Sequence, residues 1–232
     1  MARQHRIILP NLPHHVVHRG HNRDVIFNSE SDFNTYLSYM QKFRDLLAVK
    51  IHSFCLMPNH VHLIIDPGET PAAISLFMMR LAGRYTWHKN TRRGGRGTLW
   101  DGRFRSNPVQ SDRYLQTCCR YVEMNPVRAN IVDHPSQYRW SSYRERIGLG
   151  TDNWLDEDPC YAALGVNRQD REKQYKVWFE QFATEPDLEI IQTTIRRGGM
   201  IAEENCILEK EAQTGITLTA RPQGRPAKRL AP

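Results

Sequence analysis

Apolar and polar positions in the first 150 residues follow two alternating periods, one typical of strands and the other of helices. Short β-prone runs predict strands over residues 14–18, 51–57 and 60–66, and a further strand is predicted within residues 99–110. The turn signal Pro58-Asn59 separates the second strand from the third. These two strands are therefore predicted to form a hairpin.

Helical spacing of apolar residues predicts three helices between and after these strands. The first covers residues 31–49, and the second begins near Thr70, a residue suited to capping a helix. The third is predicted to run from a cap at Ser111 to about Asn125. It should stop there because Pro126 disfavours a helical conformation in the residue before it.

The predicted order of elements is β-α-β-β-α-β-α, which is typical of a ferredoxin-like α+β fold with helices packed on one face of an antiparallel sheet. A polar, partly acidic stretch begins near residue 151 and indicates a boundary. We therefore predict a first domain over residues 1–150 and a smaller, mostly helical accessory region over 151–218. The basic, proline-rich tail over 219–232 is expected to be disordered when free.

Composition narrows the class of protein. Of the 232 residues, 40% are hydrophobic and 25% are charged, which excludes a fully disordered or fibrous chain. No apolar run approaches the ~18 residues of a membrane span, and no signal-peptide core is visible, so a cytoplasmic protein without a membrane partner is expected. Five cysteines without a CxxC pair argue against a disulfide scaffold and a cysteine-ligated zinc site.

The net charge of +7 and the isoelectric point of about 9.3 favour a polyanionic partner, with nucleic acid the first candidate. An ordinary basic protein is the alternative on charge alone. Within the chain, the glycine-rich segment 89–97 carries four cations and is predicted to be a loop, either solvated or in contact with phosphates.

His60 and His62 are the first candidates for chemistry. Alternation along a strand places both imidazoles on one face, about 7 Å apart, while Val61 points into the core. Two such rings can bind one divalent cation, although isolated His-x-His pairs are more often surface or hydrogen-bonded residues. Tyr121 and Asn125 share a face of the third helix, so Asn125 could provide a third ligand through its amide oxygen. Locally, a half-buried core tyrosine and a helix-terminal asparagine fit equally well.

A tyrosine, two histidines and an amide together suit the cleavage of DNA. A tyrosine oxygen can attack a phosphodiester and form a covalent phosphotyrosine, and Mg²⁺ or Mn²⁺ would polarise the phosphate. Tyr114 lies two helical turns before Tyr121 on a similar face, so local sequence leaves both tyrosines as candidate nucleophiles. The absence of HExxH and of a carboxylate cluster near the histidines argues against an ordinary metal hydrolase.

The segments MPNHVHLII and RYVEMNPVRA, with HRGHNR before them and LWDGRFRS between them, resemble the single-strand HUH tyrosine transposases. Within that group the chain is most similar, over roughly residues 5–145, to the transposases associated with repetitive extragenic palindromes (REP). The resemblance implies that His60, His62 and Asn125 bind the metal. It also selects Tyr121 over Tyr114 as the nucleophile that forms a 5′-phosphotyrosine and frees a 3′-hydroxyl.

The resemblance further implies a substrate of single-stranded DNA that folds into REP-type hairpins, bound by a monomer or a homodimer. A domesticated protein that binds DNA or RNA hairpins without chemistry is the alternative. Such a binding protein would not need His60, His62, Tyr121 and Asn125 together, so the presence of all four residues favours the enzyme.

Several residues are predicted to contact DNA. Phosphate contacts are expected from a family-typical stretch after the first strand: Arg19, Asn22 and Arg23. Aromatic rings interleaved with cations could stack bases and hold phosphates, or could be core aromatics with outward arginines: Trp100, Arg103, Phe104 and Arg105. In the tail, Gln223-Gly224-Arg225-Pro226 resembles an AT-hook core, with glutamine in place of the first arginine, so Arg225 would contact the minor groove of a flanking duplex. A nonspecific basic tail is the alternative.

Overall fold

A four-stranded antiparallel sheet forms from the predicted strands, in a computed structural model that describes residues 6–110, 112–150, 154–181 and 185–220. The spatial order is β2-β3-β1-β4. The strands are β1 (His14–Arg19), β2 (Lys50–Met57), β3 (His60–Asp66) and β4 (Arg105–Pro108). The hairpin prediction is confirmed, because β2 pairs with β3 and Met57 lies opposite His60.

Helices alternate with these strands in the predicted order, which confirms the ferredoxin-like α+β fold. This first group comprises α1 (Glu30–Leu47), α2 (Ala72–Arg93), α3 (Asp112–Glu123), α4 (Asn125–Arg128) and α5 (Tyr143–Arg146). A second group follows, as predicted for a helical C-terminal region: α6 (Pro159–Ala162), α7 (Arg168–Gln181), α8 (Glu185–Arg197) and α9 (Glu204–Thr214). Ser111 and the tail that contains Arg225 lie outside the described residues.

Helices cover both faces of the sheet, so the expectation of helices on one face alone is wrong. Helices α1 and α2 pack on the face that carries Val61 and Leu63. Helix α3 packs on the opposite face, against Cys55 and Ile64. The reason is that β2 is buried at every position after Lys50, so neither face of the hairpin can be left to solvent.

Helix α2 continues through the first half of the segment predicted as a loop. It ends at Arg93, and Gly94 adopts the left-handed conformation with φ of 62°. Lys89 is buried and donates hydrogen bonds to the carboxylate of Asp32 at 2.7 Å and to the amide oxygen of Asn28 at 2.9 Å. This ion pair to the first turn of α1 explains why the helix extends beyond the predicted end.

The chain stays helical past Glu123 and does not stop at Pro126. Met124 keeps a helical conformation, and α4 starts at Asn125 with Pro126 in its first turn, where a missing N–H costs nothing. Helix α3 itself ends at Glu123, close to the predicted end near residue 125, but the turn at Met124 leads directly into α4. Tyr121 and Asn125 remain on one continuous helical surface.

The described residues beyond 154 pack closely on the sheet and on α3. The buried carboxylate of Glu123 accepts hydrogen bonds from Ser142 at 2.6 Å and from Tyr175 of α7 at 2.7 Å. Arg113 of α3 forms a bidentate ion pair with Asp187 of α8 at 2.8 and 3.1 Å. Across the residues described, no helix combines the length and the apolar character needed to cross a bilayer.

Candidate active site

Strand β3 brings His60 and His62 to the face of the sheet that α3 covers. Their ring centroids are 4.9 Å apart; His62 is buried and His60 is partly exposed. Val61 between them is fully buried in the core of the other face, as alternation predicts. On the neighbouring strand, Arg19 lies opposite His60.

Each of the two histidines has a hydrogen-bond partner at Nδ1. His60 Nδ1 lies 2.6 Å from Oδ1 of Asn59, and His62 Nδ1 lies 2.9 Å from Nε2 of His15 on β1. An imidazole that donates from Nδ1 keeps an unprotonated Nε2, which is the form that can bind a metal ion. His15 also stacks on His62, with ring centroids 5.1 Å apart.

Burial keeps these imidazoles neutral at physiological pH. It lowers the pKa of His15 to about 3, and burial together with nearby Arg19 lowers the pKa of His60 to about 4. Burial, followed by the charges of His15 and His60, lowers the pKa of His62 well below its usual value. Neutral rings keep a lone pair, so both His60 and His62 are in a state suited to a cation.

Helix α3 places Tyr121 beside this pair. Its ring centroid is 6.1 Å from that of His62 and 5.9 Å from that of His15. The guanidinium of Arg128, on α4, lies 4.0 Å from the centre of the Tyr121 ring and donates to the Tyr121 carbonyl. Burial raises the pKa of Tyr121 and Arg128 opposes that shift, so the phenol is protonated at neutral pH.

Asn125 lies one helical turn after Tyr121. Its amide nitrogen donates to the carbonyl of Tyr121 at 3.1 Å and to that of Val122 at 3.0 Å. These bonds use the nitrogen and leave Oδ1 as the atom of this side chain that can meet a cation. Within the described residues, no cluster of three or more His, Cys, Asp or Glu side chains could hold a metal. Two neutral imidazoles and one amide oxygen still form a donor set that fits Mg²⁺ or Mn²⁺ with open positions.

One cavity of about 640 Å³ brings these groups together. It is lined by Val17, Arg19, His60, His62, Asp101, Arg103, Arg105, Tyr121, Asn125, Gln192, Ile195 and Arg196. Four arginines against a single aspartate give this cavity a positive charge that suits phosphates. Tyr114, the rival tyrosine, is buried against α8 and is not among the lining residues.

The sequence profile of the IS200-like transposases matches residues 9–125, just over half of the 232 residues. This chain belongs to the IS200-like transposase family. The matched segment begins before β1 and ends at Asn125, so it contains the four side chains described above. It does not reach α5 or any later helix.

Two proteins that are similar to this chain carry the name of REP-associated tyrosine transposases. A curated protein of Haemophilus influenzae that carries the name of a REP-associated tyrosine transposase is 21% identical over 104 residues, which cover 41% of this chain and 59% of that protein. The matched segment thus spans about three fifths of that relative. A solved structure of a REP-associated tyrosine transposase bound to a REP hairpin is 16% identical, covering 68% of this chain and 93% of the other with a TM-score of 0.56. At 16% identity, this structural similarity shows that the two proteins share a fold.

Among the described residues, those predicted to bind DNA fall into three groups: arginines that line the cavity, exposed residues of a turn, and two core aromatics. Arg19, Arg103 and Arg105 line the cavity. Asn22 and Arg23 are exposed on the turn after β1, with φ of 51° and 62°. Gly20 precedes this turn. A Cβ at this position would lie only 2.5 Å from the carbonyl oxygen of Asp24, so a larger residue would force the turn to shift.

Trp100 and Phe104 belong to the core of the transposase, which corresponds to the alternative of core aromatics with outward arginines. Trp100 is 5% exposed and stacks on His18 with centroids 4.2 Å apart, while its indole N–H donates to Thr86 at 3.1 Å. Phe104 is 6% exposed and is covered by the guanidinium of Arg6. Neither ring presents a face on which a base could stack, which argues against the predicted DNA contacts of these two side chains.

Two parts of the site were not anticipated from the sequence. His15 belongs to a strand that was predicted, but its contact with His62 depends on how β1 and β3 pair. Helix α8 contributes Gln192, Ile195 and Arg196; residues 151–218 were predicted to be mostly helical, but no helix was predicted specifically over residues 185–197. Its apolar residues follow helical spacing, and that signal could have revealed the helix but not its position over the site.

Proposed function

We propose that this transposase is a metal-dependent enzyme that binds hairpin-forming single-stranded DNA and cleaves and rejoins it through Tyr121. The observation that carries the proposal is that Tyr121, His60, His62 and Asn125 all line the same positively charged cavity. A protein that only binds hairpins has no need of a protonated tyrosine beside two neutral imidazoles.

Tyr121 is the proposed nucleophile. Its phenolic oxygen attacks the scissile phosphorus, and the bond from phosphorus to the 3′ oxygen breaks. The phenol loses its proton to solvent, the departing 3′ oxygen gains one, and the 5′ phosphate stays on the tyrosine. Because one ester replaces another, the strand can be rejoined by attack of a 3′-hydroxyl.

A cation would be held by His60, His62 and the amide oxygen of Asn125. When bound, Mg²⁺ or Mn²⁺ supplies Lewis-acid stabilisation of the charge that develops on the phosphate. Positive charge is needed here because burial raises the pKa of Tyr121 and disfavours its anionic form. Arg128, with its guanidinium over the ring, contributes part of that charge from within the chain.

The proposed substrate is single-stranded DNA with a REP-type hairpin. Support comes from the similar protein whose solved structure contains a REP hairpin and from the arginines that line the cavity. Tyr121 approaches His62 within one chain, so a monomer is sufficient to assemble the site.

The test is covalent trapping. Wild-type protein incubated with labelled hairpin DNA carrying single-stranded flanks and Mn²⁺ should give a DNA-linked protein band on denaturing electrophoresis. Tyr121→Phe should bind the hairpin normally and lose the adduct, whereas Tyr114→Phe should keep it, because Tyr114 lies outside the cavity. An adduct in Tyr121→Phe would refute the assigned nucleophile. Hairpin binding without product by the wild type, in both Mg²⁺ and Mn²⁺, would favour the non-catalytic hairpin-binding protein.

A further inference from the structure

A second cavity, of about 690 Å³, adjoins the candidate active site. The two cavities share three lining residues, Arg105, Ile195 and Arg196. At these residues the second cavity meets the cavity around Tyr121, and we call the second cavity, which runs between β4 and the end of α8, the groove. The groove continues past Ser106 on β4 to Ile216 and Thr217.

The far wall of this groove is held firmly against the sheet. Asn107 of β4 is buried, and its amide nitrogen donates to the carbonyl of Thr194 at 3.2 Å and to that of Gly199 at 2.9 Å. Gly199 has φ of 113°, and a Cβ there would lie 2.7 Å from the carbonyl oxygen of Leu218. Only glycine fits this close approach, so the C-terminal end of α8 has a defined position across from β4.

The charge of the groove has one sign. Its lining includes Arg6, Arg105, Arg196 and Arg197 and, among the residues that the structure describes, no carboxylate. Arg105 and Arg196 are both exposed at the junction of the two cavities. The other residues of the lining are uncharged, and Ile216 among them is 42% exposed. Such a combination suits a chain of phosphates whose bases lie against a partly apolar wall.

We propose that this groove binds the single strand that continues from the scissile phosphate, with Arg105 and Arg196 contacting its backbone. The inference rests on the proposed function, which puts a phosphodiester at Tyr121. An acidic peptide would also suit the charge, but continuity with that phosphodiester favours nucleic acid. Helix α8 lies beyond the segment shared with the family, so this chain's own C-terminal region would complete its DNA site.

Equilibrium binding to matched probes tests the proposal. The probes are one fluorescent DNA hairpin without extensions and the same hairpin with about ten thymidines added on its 5′ or its 3′ side. Arg196→Ala should weaken binding of one extended probe about tenfold and weaken binding of the blunt hairpin much less. The slope of log affinity against log salt for that probe should become shallower by about 0.7, the value for one lost phosphate contact on a single strand.

Arg80→Ala is the matched control, because Arg80 is an exposed helical arginine on α2, which packs on the opposite face of the sheet. It should bind all probes as the wild type does. If Arg196→Ala binds both extended probes with wild-type affinity and salt slope, the groove proposal is wrong. Selective capture of a polyglutamate peptide, but not of oligothymidine, at this groove would also overturn it.

Measurements of binding and of cleavage together distinguish a failure of this inference from a failure of the proposed function. Loss of the Tyr121 adduct with normal Arg196-dependent binding would refute the chemistry alone. A normal adduct on the extended hairpin with no effect of Arg196→Ala on binding would refute the groove alone. Because Arg105 lines both cavities, Arg105→Ala should weaken extended-probe binding as Arg196→Ala does.

Discussion

Replacing His15 by phenylalanine tests how the candidate metal site is built. The change keeps an aromatic ring beside His62, where the present ring centroids are 5.1 Å apart. It removes Nε2 of His15, which lies 2.9 Å from Nδ1 of His62 and can accept a proton from that nitrogen. Without that acceptor, the His62 proton is no longer held on Nδ1, and the form with a proton on Nε2 cannot bind a cation.

The expected magnitude follows from the role of such partners in metal sites. Loss of a hydrogen bond that orients a metal-binding histidine lowers affinity about 10- to 100-fold, which corresponds to about 1.4–2.7 kcal/mol. The effect on folding should be smaller. His15 Nδ1 is buried with no hydrogen-bond partner among the described residues, so its removal offsets part of the cost of leaving His62 Nδ1 unpaired.

Titration of free Mn²⁺ followed by electron paramagnetic resonance measures this affinity without DNA. His15→Gln, which restores an acceptor oxygen, should recover part of the lost affinity. His18→Phe is the control: His18 is a buried histidine of the same strand that faces Trp100 on the other side of the sheet, so its loss should leave Mn²⁺ binding unchanged. If folded His15→Phe protein binds Mn²⁺ as tightly as the wild type, His15 does not position His62.

Three further outcomes are expected for stability. Trp100→Ala should lower the free energy of unfolding in urea by about 3–5 kcal/mol, because it empties a buried site, and a change below 1 kcal/mol would contradict its place in the core. Arg146→Met should cost about 3–5 kcal/mol because the buried carboxylate of Asp158 loses its partner at 2.5 Å, and the double variant with Asp158→Leu should recover much of that loss. Burial lowers the pKa of His14 from 6.5 to about 4, so unfolding stability measured against pH should decline as pH falls from 6.5 to 4, by up to about 3 kcal/mol from this residue, and His14→Gln should flatten that decline.

The hydrogen bonds of His14 explain why stability should fall, and not rise, as the pH is lowered. In the folded protein Nδ1 donates to the carbonyl of Leu12 at 2.7 Å, and Nε2 accepts from the N–H of Leu9 at 3.0 Å. Only the neutral ring can do both, so the unfolded chain binds more protons between pH 4 and 6.5. A stability that is constant across this range would show that His14 is protonated without cost.

The amino-acid sequence by itself determined the order of strands and helices and the common face of His60 and His62. Both depend on local periodicity, because alternation in a strand and helical spacing are properties of neighbouring residues. Tyr121 and Asn125 share a surface for the same reason, with the helical conformation of Met124 keeping them in line.

The tertiary structure alone decided which distant residues meet. Cross-strand pairing puts His15 against His62, packing of α3 on the second face brings Tyr121 to them, and the docking of α8 through Asn107 adds Arg196. Burial likewise turned Trp100 into a core residue. These outcomes depend on the balance of long-range contacts, in which each element covers apolar surface that another leaves exposed, and no local pattern of the chain encodes that choice.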